Sequence, residues 1–188
     1  NQKLIINSSA ANNVNVRGIG VLQDSDLTLD AGCELTGTHF LDCVFVTASS
    51  EFIIKGGTLL VSPSVLVSGT GIYVNYLSNF YIDGSSTIHS DGNRCITVDN
   101  GSGFHIFSGD HSFTGASGAH IFTLANASVS HIACTSITLT GNSGGSSIAI
   151  YTMYSSVCYL YGCKIHFGGK FASPLFGATG SSIIMRDG

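Results

Sequence analysis

The chain has 188 residues, with seven Lys or Arg against 11 Asp or Glu and a formal net charge of −4. Charged residues make up only 10 % and form no basic stripe, which argues against nucleic acid as the main partner. No apolar run approaches the length of about 18 residues that a membrane-spanning helix needs, so we expect no membrane span.

The beginning of the chain is its least regular part. Lys3 to Ile6 and Val14 to Val16 have the composition of strands on either side of a polar turn, so we predict an opening segment or first coil over residues 1–20. A repeating pattern occupies residues 21–188, where we predict one domain. Because the chain starts with Asn1 and stops within the pattern at Gly188, we expect a fragment of a longer protein.

A serine recurs along the rest of the chain at a nearly constant interval. These serines are Ser25, Ser50, Ser78, Ser102, Ser128, Ser156 and Ser181. Mostly apolar residues follow each serine at two and four positions, an alternation typical of strands. Self-similarity at this period indicates a solenoid. We predict an all-β fold, a right-handed parallel β-helix with about seven coils of three short strands, whose hand follows from the chirality of parallel crossovers.

Apolar residues indicate where the three strands of each coil lie. One strand precedes the serine, as at Val44 and Val46, and one follows it, as at Phe80 and Ile82. The third comes after a further turn, and we expect its inward residues to form one column: Leu35, Leu59, Ile88, Phe113, Ile137 and Ile165. The serines themselves are expected at a corner, where they hydrogen-bond the backbone.

Six cysteines lie in or beside the predicted strands and form no CxxC pair. Zinc sites usually show closely paired ligands, so we predict no metal and no cofactor. We expect reduced, mostly buried thiols that act as small apolar side chains. Such thiols suit assembly in a reducing cytoplasm.

The stacking of coils also fixes which side chains point outward. Asp30, Lys55 and Asp83 are expected on successive coils as a ladder of alternating charge. A second outward group, named here the Tyr/His face, comprises Tyr81, His105, Phe107, His131, Tyr159 and Tyr161. Three roles are open for it: a surface covered by a loop or a neighbouring subunit, a platform on which sugars stack, or a proton-transfer site at His105 or His131.

Glycoside hydrolysis usually needs two carboxylates that flank the scissile bond. Most of the acidic residues adjoin Gly or Asn in predicted turns, which is ordinary turn chemistry. Asp83 and Asp110 belong to neighbouring coils near one corner and are the candidate catalytic residues. Asp91 and Asp99, which flank the next strand of the coil, are an alternative pair, and other pairs are open too. The chain has no Gly-x-Ser-x-Gly elbow, no His-Glu-x-x-His motif and no phosphate loop, so catalysis stays open.

The serine-centred coils, with blocks such as Ser78-Asn79-Phe80-Tyr81-Ile82-Asp83-Gly84, resemble the right-handed β-helix body of bacteriophage tailspikes and tail fibres, in the pectin-lyase-like class. The resemblance runs from Val44 to Arg186. It implies a homotrimer on the virion tail, assembled in the host cytoplasm beside other tail proteins. It also implies contact with bacterial surface polysaccharide, which some members cleave.

Three functions are compatible with these features. The first is a phage tail structural and receptor-binding protein that contacts bacterial surface polysaccharide. The second is a tailspike polysaccharide depolymerase, either a glycoside hydrolase or a lyase. The third is the stalk of a bacterial surface adhesin, although six cysteines argue against it because exported adhesins tend to avoid free thiols.

Overall fold

The computed structural model describes residues 3–7, 17–38, 41–62, 69–90, 94–115, 120–142 and 147–187. These ranges contain 21 strands and no helix, hence none that is long and apolar enough to cross a membrane. The strands are β1 (Lys3–Asn7), β2 (Ile19–Leu22), β3 (Asp26–Leu29), β4 (Cys33–Thr38), β5 (Asp42–Thr47), β6 (Glu51–Ile54), β7 (Gly57–Ser62), β8 (Thr70–Val74), β9 (Asn79–Ile82), β10 (Ser86–Ser90), β11 (Arg94–Val98), β12 (Gly103–Ile106), β13 (Asp110–Gly115), β14 (His120–Leu124), β15 (Val129–Ile132), β16 (Ser136–Asn142), β17 (Ile148–Thr152), β18 (Val157–Tyr161), β19 (Lys164–Lys170), β20 (Ser173–Gly177) and β21 (Ser182–Arg186).

The strands form three parallel sheets of seven strands each. Sheet A has the order β1-β4-β7-β10-β13-β16-β19, sheet B the order β2-β5-β8-β11-β14-β17-β20, and sheet C the order β3-β6-β9-β12-β15-β18-β21. Neighbours within a sheet are three strands apart in the chain, so each coil adds one strand to every sheet. The fold is therefore a parallel β-solenoid of about six turns, close to the predicted seven coils. Its right-handed sense stays a prediction from crossover chirality.

Columns of identical or similar apolar residues fill the space between the sheets. In sheet C the rings of Phe52, Phe80 and Phe104 stack with centroids 5.2 and 5.3 Å apart. Beside them runs a column of four buried isoleucines, Ile54, Ile82, Ile106 and Ile132. Burying each such side chain contributes about 1.5–3 kcal/mol. The alternation predicted from the sequence therefore places its apolar members in the core.

The recurring serines lie at the corner where the chain enters sheet C, as predicted. The backbone N–H of Ser25 donates to Ser50 Oγ at 3.2 Å, and that of Ser50 donates to Ser78 Oγ at 3.1 Å. The N–H of Ser78 donates in turn to Ser102 Oγ at 3.3 Å. Each of these Oγ atoms thus receives an N–H from the preceding coil at a point where the chain turns away from the sheet ladders.

A turn of two left-handed residues precedes every one of these serines. Both residues have positive φ in each coil: Gln23–Asp24, Ala48–Ser49, Tyr76–Leu77, Asn100–Gly101, Asn126–Ala127, Tyr154–Ser155 and Thr179–Gly180. Amides brace some of the turns, since Asn100 Nδ2 donates to Asn75 Oδ1 at 2.7 Å and Asn126 Nδ2 donates to Asp99 Oδ1 at 2.6 Å. The repeated turn keeps the serines in register from coil to coil.

The predicted column on the third strand is wrong in its last two members. Phe113 pairs with Leu139, and Leu139 pairs with Phe167. Ile137 instead pairs with His111 and Ile165, in the neighbouring inward column. Both Ile137 and Leu139 are buried, so apolar character alone does not choose between them. The aligned residue lies nine or ten positions after its serine at Leu35, Leu59 and Ile88 but 11 positions after it at Phe113, Leu139 and Phe167, so a constant offset selects the wrong residue in the later coils.

The six cysteines are free thiols, of which four are buried, as the sequence predicts. Burial raises the pKa of Cys95 and of Cys158 to about 12, so both are neutral thiols. They fill space in the core like small apolar side chains. Cys33 and Cys163 lie at the surface and are half-buried.

The opening segment contributes a strand to the solenoid. β1 pairs in parallel with β4, from Lys3 opposite Glu34 to Asn7 opposite Thr38. Of the two strands predicted there, Val14 to Val16 lies outside the described residues. The division of the chain at residue 20 stays a prediction.

Candidate functional site

The outer face of sheet C carries a column of aromatic residues. Its register aligns Tyr81 with His105, His105 with His131, and His131 with Tyr159, as the sequence predicts. All four side chains are half-buried. Alternation along each strand turns them outward, because the residues on either side of them point into the core.

The rings of this column stack on one another along the solenoid. Centroids are 5.1 Å apart for Tyr81 and His105, 5.4 Å for His105 and His131, and 4.9 Å for His131 and Tyr159. The interplanar angles are 20°, 22° and 21°. Each ring therefore directs its faces at the rings above and below it and its edge toward solvent. A ligand at this column would meet mainly ring edges, phenol hydroxyls and imidazole nitrogens.

A second column, two residues further along each strand, holds Phe107, Ala133 and Tyr161. Phe107 lies 6.1 Å from His105 with 4° between the ring planes, and Tyr161 lies 6.0 Å from His131 with 8° between them. Phe107 is 55 % exposed. Because Ala133 has no ring, the faces of Phe107 and Tyr161 that look toward it have no stacking partner in this column.

Burial shifts the pKa of two residues of this face, His105 and Tyr81. Burial lowers the pKa of His105 to about 4, with a smaller contribution from His131. Burial also raises the pKa of Tyr81, assisted by the charge of Glu51 and a hydrogen bond to it. His105 and Tyr81 are therefore neutral at physiological pH. A histidine that titrates near 4 is poorly matched to proton transfer at neutral pH.

Asp83 lies in a turn that connects sheet C to sheet A, and Asp110, on the next coil, is the first residue of β13 in sheet A. Asp83 Oδ1 accepts a hydrogen bond from Ser108 Oγ at 2.7 Å, and Asp110 Oδ1 accepts one from Ser136 Oγ at 2.6 Å. Both carboxylates are exposed and each is bonded to a serine of the next coil. Their assignment as a catalytic pair stays a prediction, as does that of the alternative pair, of which Asp91 lies outside the described residues.

The predicted charge ladder begins as expected. Lys55 Nζ lies 3.8 Å from Asp30 Oδ1, and both side chains are exposed. An exposed pair of this kind contributes about 0–1 kcal/mol. Its role is structural at most, and Asp83, the third member, accepts its hydrogen bond from Ser108.

Sequence reasoning missed a groove of about 670 Å³ beside sheet A. Its floor is a column of outward hydroxyls, Thr58, Thr87, Ser112 and Thr138, and its wall includes Lys55, Ser85 and Asp110. The signal for it was the alternation of Thr or Ser with buried residues on the third strand of each coil. The groove presents hydroxyl groups with one cation and one carboxylate at its side.

Among the described residues, no three His, Cys, Asp or Glu side chains are grouped closely enough to hold a metal ion. Comparison with known proteins identifies no relative: no family model, no curated protein and no solved structure matches the chain. The class to which the chain can be assigned is therefore that of parallel β-solenoid proteins, on its own architecture.

Proposed function

We propose that this chain is a structural and receptor-binding segment of a bacteriophage tail protein, which contacts bacterial surface polysaccharide through the Tyr/His face. The parallel solenoid agrees with the architecture that the resemblance to tailspikes implies. Six free thiols agree with assembly in the reducing cytoplasm of a host. The homotrimer and the position on the virion tail belong to the same proposal.

The observation that carries the proposal is the concentration of rings on one face of a surface that is otherwise rich in Ser, Thr and Gly. Six aromatic side chains from four coils lie within stacking distance of their neighbours. Aromatic residues with polar edges suit ligands that have both apolar C–H surfaces and hydroxyl groups. Neutral and acidic sugars both have such surfaces. His105 and Tyr81 are uncharged, so they repel neither kind of sugar.

The test is direct binding of the purified chain to immobilised capsular polysaccharides and O-antigens from a broad panel of bacteria. We expect a subset of the polysaccharides to bind, and Tyr161→Ala to weaken that binding at least tenfold. Tyr154→Ala is the matched control, because Tyr154 is an exposed tyrosine at a different corner. If the wild-type chain binds no polysaccharide in the panel, receptor binding is refuted.

The depolymerase is retained as a second candidate because Asp110 lines the groove of about 670 Å³. A reducing-end assay on each polysaccharide of the panel decides it. Cleavage that disappears in the Asp83→Asn, Asp110→Asn double variant assigns the chemistry to this pair. Cleavage that persists in the double variant assigns it elsewhere, and absence of cleavage by the wild-type chain removes the candidate.

A further inference from the structure

Two cysteines on neighbouring coils lie against each other where the chain turns from sheet C into sheet A. Cys134 follows β15 and is buried, whereas Cys163 follows β18, one coil further along, and is half-buried. Cys163 packs against the buried core cluster to which Cys134 belongs, and the two thiol groups share a hydrogen bond. Their sulfur atoms are therefore neighbours across the two coils.

The backbone register brings the two residues to the spacing of a disulfide. The strands before and after the turn, β15 with β18 and β16 with β19, pair in one continuous register. In that register Cys163 is level with Thr135, the residue after Cys134, and the N–H of Lys164 donates to Thr135 O at 3.3 Å. One strand spacing across and one residue along place the two cysteine Cα atoms about 6 Å apart. Disulfides span Cα separations of about 4.4–6.8 Å, most often near 5.5–6 Å.

This contact is particular to one pair among the six cysteines, all of which lie in the described residues. The other four align with residues other than cysteine on a neighbouring coil: Cys33 with Gly57, Cys43 with Gly71, Cys95 with Ile121 and Cys158 with Ser130. A role as small apolar side chains accounts for those four. It does not require the contact between Cys134 and Cys163.

The pair borders solvent on two sides. Cys134 lines a shallow depression of about 350 Å³, and Cys163 lines a second one of about 360 Å³. Gly162 borders both depressions, so no side chain separates them at that point. Cys134 is only 8 % exposed, so a reagent from solution meets Cys163 first.

The two thiols differ in reactivity. Burial raises the pKa of Cys134, and the hydrogen bond and the charge of Cys163 raise it further. Cys134 is therefore a neutral thiol at physiological pH. Because the thiolate is the attacking form and access is better at Cys163, Cys163 is the first nucleophile and Cys134 the second.

From this geometry we infer that Cys134 and Cys163 are a site of reversible oxidation, at which a low-molecular-weight disulfide closes a covalent bond between neighbouring coils. The Cys163 thiolate attacks one sulfur of the small disulfide, whose S–S bond breaks and releases one small thiolate. Cys134 then loses its proton to solvent, and its sulfur attacks Cys163 Sγ and displaces the second small thiolate. Two protein thiols are oxidised, and the small disulfide is reduced to two thiols that take up the two protons.

The bond stays open in a reducing compartment and closes in an oxidising one. It joins the turn after β15 to the turn after β18 and so ties two coils together. The inference does not depend on the proposed function.

The test exposes the folded, reduced chain in dilute solution to an excess of oxidised glutathione, followed by thiol counting in denaturant and intact mass measurement. We expect the wild type to lose two of its six thiols and about 2 Da, with peptide mapping that joins Cys134 to Cys163. In Cys134→Ala the reaction stops at a glutathione adduct on Cys163. Cys33→Ala is the matched control, because Cys33 is also half-buried but has no aligned cysteine, and its variant closes the bond as the wild type does.

Thermal unfolding of the same samples measures the effect of the bond on the fold. The midpoint of the oxidised wild type is expected to exceed that of the reduced chain by about 5–10 °C, whereas the same treatment does not raise the midpoint of Cys163→Ala. Six thiols that remain free, a lasting glutathione adduct on wild-type Cys163, or a bond mapped between other cysteines or between two chains overturns the inference. An oxidised wild type that unfolds at a lower temperature than the reduced chain overturns the tie between native coils. None of these outcomes depends on polysaccharide binding.

Discussion

The buried serines act as hydrogen-bond acceptors for backbone groups that the sheets leave unpaired. Ser78 Oγ receives the N–H of Ser50 at 3.1 Å, and both residues are fully buried. Ser128 lies at the equivalent corner, but its Oγ has no hydrogen-bond partner. Both serines are buried and follow two residues with positive φ, but Ser78 Oγ accepts this bond and also donates to Tyr76 O at 3.4 Å, whereas Ser128 Oγ makes neither bond.

Ser78→Ala is expected to lower the free energy of unfolding by about 1–3 kcal/mol, because it leaves the Ser50 N–H buried without an acceptor. Ser128→Ala removes a hydroxyl that bonds nothing, so its effect is expected to be within about 0.5 kcal/mol of zero. Urea denaturation measures both. Equal losses in the two variants would show that the serine hydroxyls do not support the corner in this way.

His105 links the aromatic column to a pH dependence of stability. Its pKa is about 4 in the folded chain against an ordinary value of 6.5, so the unfolded chain binds the proton first as the pH falls. The contribution of neutral His105 to the free energy of unfolding is complete above pH 6.5 and is lost as the pH falls from 6.5 toward 4. Its ring is faced by Tyr81, His131 and Phe107.

His105→Phe keeps an aromatic ring in the column and removes the proton site. We expect the loss of stability between pH 7.5 and 4.5 to be smaller in this variant than in the wild type. His111 and His120, whose pKa values burial also lowers, maintain a residual slope. His166→Phe, at an exposed site, serves as the control. If the stability of His105→Phe falls with pH as steeply as that of the wild type, the pH dependence does not come from His105.

At the level of residues, period-two alternation predicted which side chains face outward, and the Tyr/His face follows from it. Alternation does not predict how rings turn about their own bonds. The stacking of Tyr81 on His105 depends on the strand spacing and on the neighbouring side chains. His111 was missed for a related reason: it lies beside turn residues in the sequence but points inward and is 3 % exposed.

At the level of elements, the left-handed corner recurs in every coil with different residues. Tyr76 and Leu77 occupy it with φ of 50° and 59° and exposures of 61 % and 68 %. Asn100 and Gly101 occupy the equivalent corner of the next coil, where they suit positive φ much better. Bulky residues in this conformation cost free energy that Asn and Gly largely avoid.

Tyr76→Asn is therefore expected to raise the free energy of unfolding by about 0.5–1 kcal/mol, as the side chain joins Asn100 and Asn126 in a corner column. The converse change, Asn100→Tyr, is expected to lower it by at least as much, because it also removes the hydrogen bond from Asn100 Nδ2 to Asn75 Oδ1. Urea denaturation of both variants provides the comparison. Stabilisation by Asn100→Tyr would refute this account of the corner.

Among the features of the strands and turns, the lengths of the turns were predicted least well from the sequence. The serine anchors the first two strands of each coil at constant spacing, so their registers were predicted correctly. The third strand follows a turn that varies, and Ile137 and Leu139 are both apolar. Only the pairing of Phe113 with Leu139 resolves the choice.

At the level of the whole molecule, subunit assembly and polysaccharide binding are alternative proposed roles of the Tyr/His face. Tyr159 lies near the upper end of its column, with His131 at 4.9 Å and Tyr161 at 5.9 Å. If the face binds polysaccharide, Tyr159→Asp leaves the molar mass by light scattering equal to that of the wild type and weakens polysaccharide binding. A fall in mass would instead make the face a subunit contact.

The corners and the Tyr/His face both require coils that stack directly on one another. The most direct measurement is of nuclear Overhauser effects among isoleucine δ-methyl groups in a selectively labelled chain. The register predicts contacts from Ile54 to Ile82, from Ile82 to Ile106, and from Ile106 to Ile132, although the members of each pair are far apart in the sequence. Absence of these contacts, with Ile82 and Ile106 each close to other partners, would contradict the solenoid and the binding face built on it.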